Sequence, residues 1–411
     1  MSELSVVSRR RFCALSSMTV VASSIAAIAQ EKKGSVAAGY KLVAETDRGR
    51  VLRAAGAYLA LKPQTITSFP SAKSPGGLHD FFSQADYFWP DPKNPDGPYI
   101  NRDGQSNPEN FNGHRKAMIA LSVQMPMLTT AWLLTADKRY ARHAADHLRA
   151  WFIAPATQMN PNLEYAQGVH GVSTGRNYGI IDTLHLVEVA RAASFIAPRW
   201  LSAGERAALR DWFTQYLQWL KTSEKGIKER DTLNNHAICW ALQAAEFARL
   251  IDDKQTRTEI AQRWKSIFVP DQMAADGSFP KELERTKPYS YSIFNFDVSA
   301  ALCQSLLDSG EDLYNFQLAD GRGICRAAEF LFPYMDDKSR WPYKKDVEHF
   351  DALPVRSPGL LFCGLACDKP KYLTLWKRLN PDPTDAEIIR NYPVRQPLLW
   401  FSNKGQSEHH A

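Results

Sequence analysis

Asn234-Asn235-His236 and, further along the chain, Arg285 and Tyr291 are the residues best suited to carry out chemistry. An amide, an imidazole, a guanidinium and a phenol together fit removal of a proton from a carbon beside a carboxylate, with loss of an oxygen from the next carbon. That proton is poorly acidic, because the carboxylate already carries negative charge. Donors aimed at the developing dianion supply the largest electrostatic stabilisation. Asn235 offers amide hydrogens and Arg285 offers charge-assisted bonds. His236 is a candidate base, with an ordinary pKa near ~6.5. Tyr291 can protonate the leaving oxygen. It can also act as base if a cation lowers its pKa from ~10, and Arg285 is the obvious cation for that. The scheme needs no cofactor or metal, and the sequence shows no convincing metal motif.

Each of these residues also has an ordinary role. Asn234 or Asn235 before a helix is an N-cap, and a helix N-terminus also favours an anion, so the two roles are compatible. Arg285 is placed to pair with Glu282 or Glu284, and Tyr291 to pack as a core aromatic.

The elements that must position these groups read as helices. The 3.6-residue period predicts helices over Tyr40 to Leu61, Ala117 to Leu134, Arg139 to Trp151, Ile180 to Ile196, Ser202 to Thr222, Asn235 to Ile251 and Lys254 to Phe268. Further helices are predicted over Tyr291 to Leu307, Gly323 to Tyr334, Pro354 to Ala366 and Lys371 to Lys377. Strand-type alternation is scarce. Two long irregular stretches, 62–113 and Ala154 to Asn177, interrupt the helical pattern, and loops of that length are usually functional. Helices joined by alternating short and long connections predict stacked hairpins, an all-α fold able to close into an incomplete (α/α) toroid.

The N-terminus reads as an export signal. Ser8-Arg9-Arg10-Arg11-Phe12 fits a twin-arginine pattern, Ala14 to Ala29 is modestly apolar, and Ala27-Ile28-Ala29 is a small-x-small cleavage site. The expected organisation is a signal over 1–29, one domain over 30–402 and a polar tail over 403–411, with a periplasmic destination. No later segment reads as apolar enough to span a membrane. The formal net charge of +6 is too mild to argue for nucleic acid, but it fits an acidic ligand if the positive charge gathers in a cleft. Cys239, Cys303 and Cys325 lie in apolar helical patterns and read as small buried residues. Cys363 and Cys367 sit one helical turn apart, where geometry disfavours a disulfide.

Three blocks resemble the alginate-lyase family of polysaccharide lyases. The first runs from His79-Asp80-Phe81-Phe82-Ser83 through Trp89-Pro90-Asp91-Pro92 to Gly104-Gln105-Ser106-Asn107-Pro108. The second joins Asn160-Pro161-Asn162-Leu163-Glu164-Tyr165-Ala166-Gln167 to Gly175-Arg176 and Gly179-Ile180-Ile181-Asp182-Thr183. The third joins Asn234-Asn235-His236 to Pro280-Lys281-Glu282-Leu283-Glu284-Arg285-Thr286 and Tyr291-Ser292-Ile293-Phe294-Asn295. Pro288-Tyr289 departs from the family pattern and puts a second phenol beside Tyr291.

The resemblance implies an (α/α) toroid that cleaves a 1,4-linked polyuronate by β-elimination. Asn235, His236, Arg285 and Tyr291 would be its catalytic groups and an anionic polysaccharide its partner. Tyr87, Trp89, Tyr165, Gln167 and Tyr289 are candidates to hold sugar rings. Arg176 and Asn177 are candidates for neighbouring carboxylates, and Lys344, beside Trp341 and Tyr343, is a weaker one. His114, His185 and Asp182 look like supporting polar groups. Where H5 and O4 leave from one side, as in β-mannuronate and β-glucuronate, one tyrosine can be both base and acid. Where they leave from opposite sides, as in α-guluronate, His236 would be base and Tyr291 acid. Glucuronan competes with alginate as substrate. A glycoside hydrolase needs two carboxylates about 5–9.5 Å apart, with Asp86, Asp182, Glu282 and Glu284 available. A non-catalytic binder of acidic glycans is the third reading.

Overall fold

The computed structural model describes residues 36–402. The expected signal and the polar tail lie outside the described residues. Helix α1 covers 36–58. There follow α2 (Gly113–Thr135), α3 (Lys138–Phe152), α4 (Leu186–Trp200), α5 (Ala203–Thr222) and the short α6 (Glu224–Arg230). Next come α7 (Asn235–Ile251), α8 (Lys254–Arg263), α9 (Val269–Gln272), α10 (Pro280–Leu283), α11 (Pro288–Leu307) and α12 (Ile324–Asp336). The chain ends with α13 (Pro358–Ala366), α14 (Pro370–Arg378), α15 (Ala386–Arg390) and α16 (Leu398–Phe401).

The helices form two layers. α2, α4, α7, α11 and α13 pack each on the next as an inner row, and α3, α5, α8, α12 and α14 back them from outside. This is the incomplete (α/α) toroid. Sequence assigns the layers: every residue of α11 from Pro288 to Leu306 is buried, as a helix with neighbours all round requires. In α3, by contrast, Tyr140, Ala141, Ala144, Leu148 and Trp151 form one buried stripe and the opposite face is charged. Caps set the helix ends. Asp137 accepts from Arg139 N at the start of α3, and Ser202 forms a capping box with Glu205 at α5. Between α11 and α13, Gly359 lies against the Phe296 ring, and a Cβ there would sit 2.4 Å from Cε1. Gly359→Ala would therefore push apart two inner helices.

Two of the predicted helices change form along their length. The predicted Ile180–Ile196 helix begins as a tight 3-10 segment, Asn177–His185, under the second long loop, where Gly179 touches Ala166. The predicted Lys254–Phe268 helix loosens into a π turn from Trp264 just before Pro270, which has no N–H to continue the ladder. α6 was not anticipated, because its charged residues carry no clear apolar stripe.

The two long loops are not independent. β1 (Phe82–Gln84) in the first pairs in parallel with β4 (Tyr165–Gly168) in the second. Within the first loop, β2 (Phe88–Trp89) pairs antiparallel with β3 (Ile100–Asn101). Together they form one lining over the end of the helices.

Two expectations are corrected. α2 is in fact long and apolar enough to span a membrane, but 72% of its most apolar window is buried inside the fold, as in a core helix. Cys325 is not a free core thiol: it forms a disulfide with Cys367, joining α12 to the end of α13. These cysteines are 42 residues apart, so the pairing is set by packing and not by local spacing.

Candidate active site

The N-termini of α7 and α11 converge with the paired loops on one cavity of about 420 Å³. Asn235, His236, Arg285 and Tyr291 all line it, as do Tyr87, Gln167 and Arg176. Local structure places the first two. Asn234 is the N-cap of α7, its side chain accepting from His236 N at 3.2 Å. Asn235 then starts the helix with its backbone N–H and its Nδ2 each 2.7 Å from the buried Glu282 carboxylate. One amide hydrogen of Asn235 remains for a ligand.

His236 is tied from behind. Its Nδ1 lies 2.5 Å from Glu229, which is 0% exposed. The other Glu229 oxygen accepts from Asn177 Nδ2 at 2.9 Å. A carboxylate on Nδ1 requires the proton there and leaves Nε2 as the free ring nitrogen. Tyr178, 40% exposed, packs edge-on against the imidazole at 5.0 Å.

Arg285 does not pair with Glu282 or Glu284. It donates to Asp103, from Nη2 at 2.7 Å and from Nε at 3.3 Å, and its guanidinium lies 4.5 Å over the Tyr291 ring. The expected lowering of the Tyr291 pKa does not occur. Burial pushes that phenol well above its ordinary value, Tyr87 adds to the rise, and Arg285 only partly opposes it. Asp103 shares the Arg285 charge, so Tyr291 rests as a neutral hydroxyl.

Four arginines line the cavity. Arg115 bridges Asp86 at 2.6 Å and Asp182 at 3.0 Å, and Arg390 pairs with Asp86 and Glu387. Arg285 has Asp103. Among the described residues lining the cavity, Arg176 is the arginine held by neutral groups: Nε donates to Gln167 O at 3.1 Å and Nη2 to Gln167 Oε1 at 3.0 Å. Its guanidinium lies over Phe88 and Tyr178, 4.7 and 5.3 Å from the ring centres. Gln167 adopts a left-handed backbone, φ 51, to make this clasp.

The remaining expected ligand contacts fall elsewhere. Tyr289 is fully buried, donates to Tyr334 O at 2.9 Å and packs on Trp341 and Phe350. Two residues along an α-helix is about 200° of rotation, so Tyr289 and Tyr291 must point apart. Asn177 serves Glu229. Trp89 donates to Gln105 O under Arg102, and Tyr165 packs against Gly76. Lys344 is exposed, and its carbonyl accepts from Trp341. None of these five lines the cavity. Asp182 and His185 do line it as buried supports, while His114 stays behind, bonded to Phe82 N and Phe69 O.

Sequence reasoning missed Glu229, Asp103, Lys287, Glu387 and Arg390. The last two sit on α15, where Asp385 followed by Ala386-Glu387-Ile388 is a readable cap signal. The carboxylates a hydrolase would need are engaged: Asp86 and Asp182 by arginine, Glu282 by Asn235, and Glu284 lies exposed beside Lys281.

The cleft of this helical toroid thus gathers an amide, a tied imidazole, a guanidinium and a neutral phenol, the set a β-elimination beside a carboxylate calls for. The chain belongs to the alginate lyase family, whose model matches residues 65–341. A crystal structure of an alginate lyase from Bacteroides ovatus is similar at 28% identity and TM-score 0.75, covering 89% of this chain and 97% of that one. A tyrosine-to-phenylalanine variant of alginate lyase A1-III complexed with tetrasaccharide shares the fold at 16% identity and TM-score 0.51, over 74% and 79%. No curated protein sequence gives a match.

Proposed function

We propose that this protein cleaves alginate by β-elimination, with His236 as base and Tyr291 as acid. Asn235 and Arg285 meet the carboxylate of the sugar whose C5 proton is removed. His236 Nε2 takes that proton. Tyr291 gives its hydroxyl proton to O4, and the C4–O4 bond breaks as the C4–C5 double bond forms. Arg176 takes the carboxylate of a neighbouring sugar. The observation that carries this reading is the split between the two proton-transfer groups. One is a ring nitrogen freed by a buried carboxylate, and the other is a phenol kept protonated by burial.

The test is digestion of alginate, polymannuronate, polyguluronate and glucuronan by the purified protein. It is read by ultraviolet absorbance of the unsaturated product and by product size. Chromophore on alginate and polyguluronate is expected, because a separate base and acid suit H5 and O4 leaving from opposite sides. Chromophore on polymannuronate or glucuronan alone would keep the β-elimination but overturn the split, making Tyr291 both base and acid. Reducing ends without chromophore would overturn the reading.

Periplasmic export belongs to the same proposal. The Cys325–Cys367 bridge supports it, since such bonds persist in oxidising compartments. Replacing Arg9 and Arg10 by Lys should leave the protein in the cytoplasmic fraction.

A further inference from the structure

Two phenols in contact can share a hydrogen bond in either direction, and only their surroundings decide which. Tyr291 and Tyr87 are such a pair, with their hydroxyls 3.0 Å apart. Tyr87 also lies 3.3 Å from Glu387 Oε1 and 3.2 Å from Arg390 Nη2. A guanidinium only donates and a carboxylate only accepts. The Tyr87 proton must therefore go to Glu387, and its oxygen must accept from Arg390. The remaining lone pair of Tyr87 then accepts the Tyr291 proton, and every bond around Tyr87 has a fixed sense.

The two residues that impose this order are themselves locked. Arg390 donates to Glu387 at 2.7 Å and to Asp86, which is held in turn by Arg115. Lys287 is 1% exposed, lies 3.4 Å from both Glu387 and Glu348, and sits 5.4 Å over the Tyr87 ring. Burial pushes the Glu387 carboxyl up, but Arg390 and Lys287 outweigh it and hold it at about 2. The acceptor is thus ionised at any working pH. Both Glu387 and Arg390 belong to α15, past the end of the family match at 341 and outside the ring of helical hairpins.

We infer that Glu387 and Arg390 are positioning residues for the elimination: by fixing the Tyr87 hydroxyl they hold the Tyr291 oxygen at one point of the cavity wall, from which its proton turns from Tyr87 to O4 once the sugar is in place. The ring and the paired loops supply the reacting groups, and the C-terminal segment fixes the place of the phenol that protonates O4. This inference rests on Tyr291 acting as the acid.

The test is a double-mutant cycle in the full chain, using Tyr87→Phe, Glu387→Gln and the pair, with thermal melting to verify folding. Each single variant should lower kcat roughly 10- to 100-fold, as for loss of orientation at a reacting group. KM should stay within about threefold. The double variant should lose no more than the worse single one, because both remove the same constraint. Glu387→Asp should recover part of kcat. Glu387→Gln should also move the alkaline limb of the kcat profile to lower pH. The groups facing the two phenols are Arg285, Asp103, Arg390, Lys287 and Glu387, and losing Glu387 leaves the cations less opposed. Arg390→Lys keeps a charge beside Asp86 but loses the fork to Tyr87 and Glu387, so the same kcat loss is expected and gives a second route if Glu387→Gln does not fold. Losses that multiply in the double variant, or an unchanged kcat and pH profile in a folded variant, overturn the inference. A wild-type protein that yields no unsaturated product would instead overturn the function proposed above.

Discussion

A buried carboxylate behind an imidazole decides which nitrogen is free to react. Glu229 does this for His236, and Asn177 completes the Glu229 coordination. Glu229→Gln keeps the shape and removes the charge, so the imidazole loses its imposed tautomer. The expected result is a fall in kcat of roughly 100-fold or more with little change in KM, measured by initial rates of unsaturated product. An unchanged kcat would show that His236 is not the base. The four proposed reacting residues were legible in the sequence because their chemical types are rare in combination and two of them abut a helix cap. Glu229 was not legible. Lys228-Glu229-Arg230-Asp231 reads as a solvated charge run, and only the packing of α6 under α7 buries one of its members. The choice between Tyr289 and Tyr291 was open in the sequence and closed by helix rotation alone.

At the scale of elements, two buried aspartates cap the inner helices. Asp346 accepts from the backbone N–H groups of Tyr289 and Ser290 at the start of α11, and burial pushes it up to about 6. Asp297 on α11 accepts from Ser357 and Gly359 N at the start of α13, and burial pushes it up to about 7. A carboxyl with a raised folded pKa binds its proton more tightly in the folded state. Its contribution is therefore most favourable at low pH and is lost as pH rises from the ordinary value, near ~4, through 6 to 7. Glu387 has the opposite sign: its stabilisation is present above the ordinary glutamate value and is lost as pH falls toward about 2. Asp297→Asn should remove the loss on the neutral side. Its stability relative to the parent should climb between pH 4 and 7 by at most about 1.4 kcal/mol per pH unit and then level off, as read by denaturant melts across pH. A difference independent of pH would show that Asp297 does not titrate in the fold. The helices themselves were legible from periodicity. The joining of the two long loops through β1 and β4 was not, because each strand is too short to show alternation and its partner is remote in sequence.

At the scale of the whole molecule, the Cys325–Cys367 bridge ties the outer layer to the inner one. A loop of 42 residues closed by a disulfide is worth about 2–4 kcal/mol. Cys367→Ser should lower stability by that amount while leaving kcat intact, since neither cysteine lines the cavity. The pairing was hidden in the sequence because Cys325 sits in an apolar pattern like its unbridged neighbours. Arg176 has a consequence of another kind. Its guanidinium is half-buried among Gln167, Phe88 and Tyr178, and no ion pair holds it among the described residues. An anionic oligosaccharide would supply the negative charge that this guanidinium pairs with. Loading with a non-cleaved uronate oligomer should raise the melting temperature of the parent, and Arg176→Ala should lose most of that rise along with roughly 10-fold or more in KM. The enzyme would then be sturdiest while it is gripping its polymer.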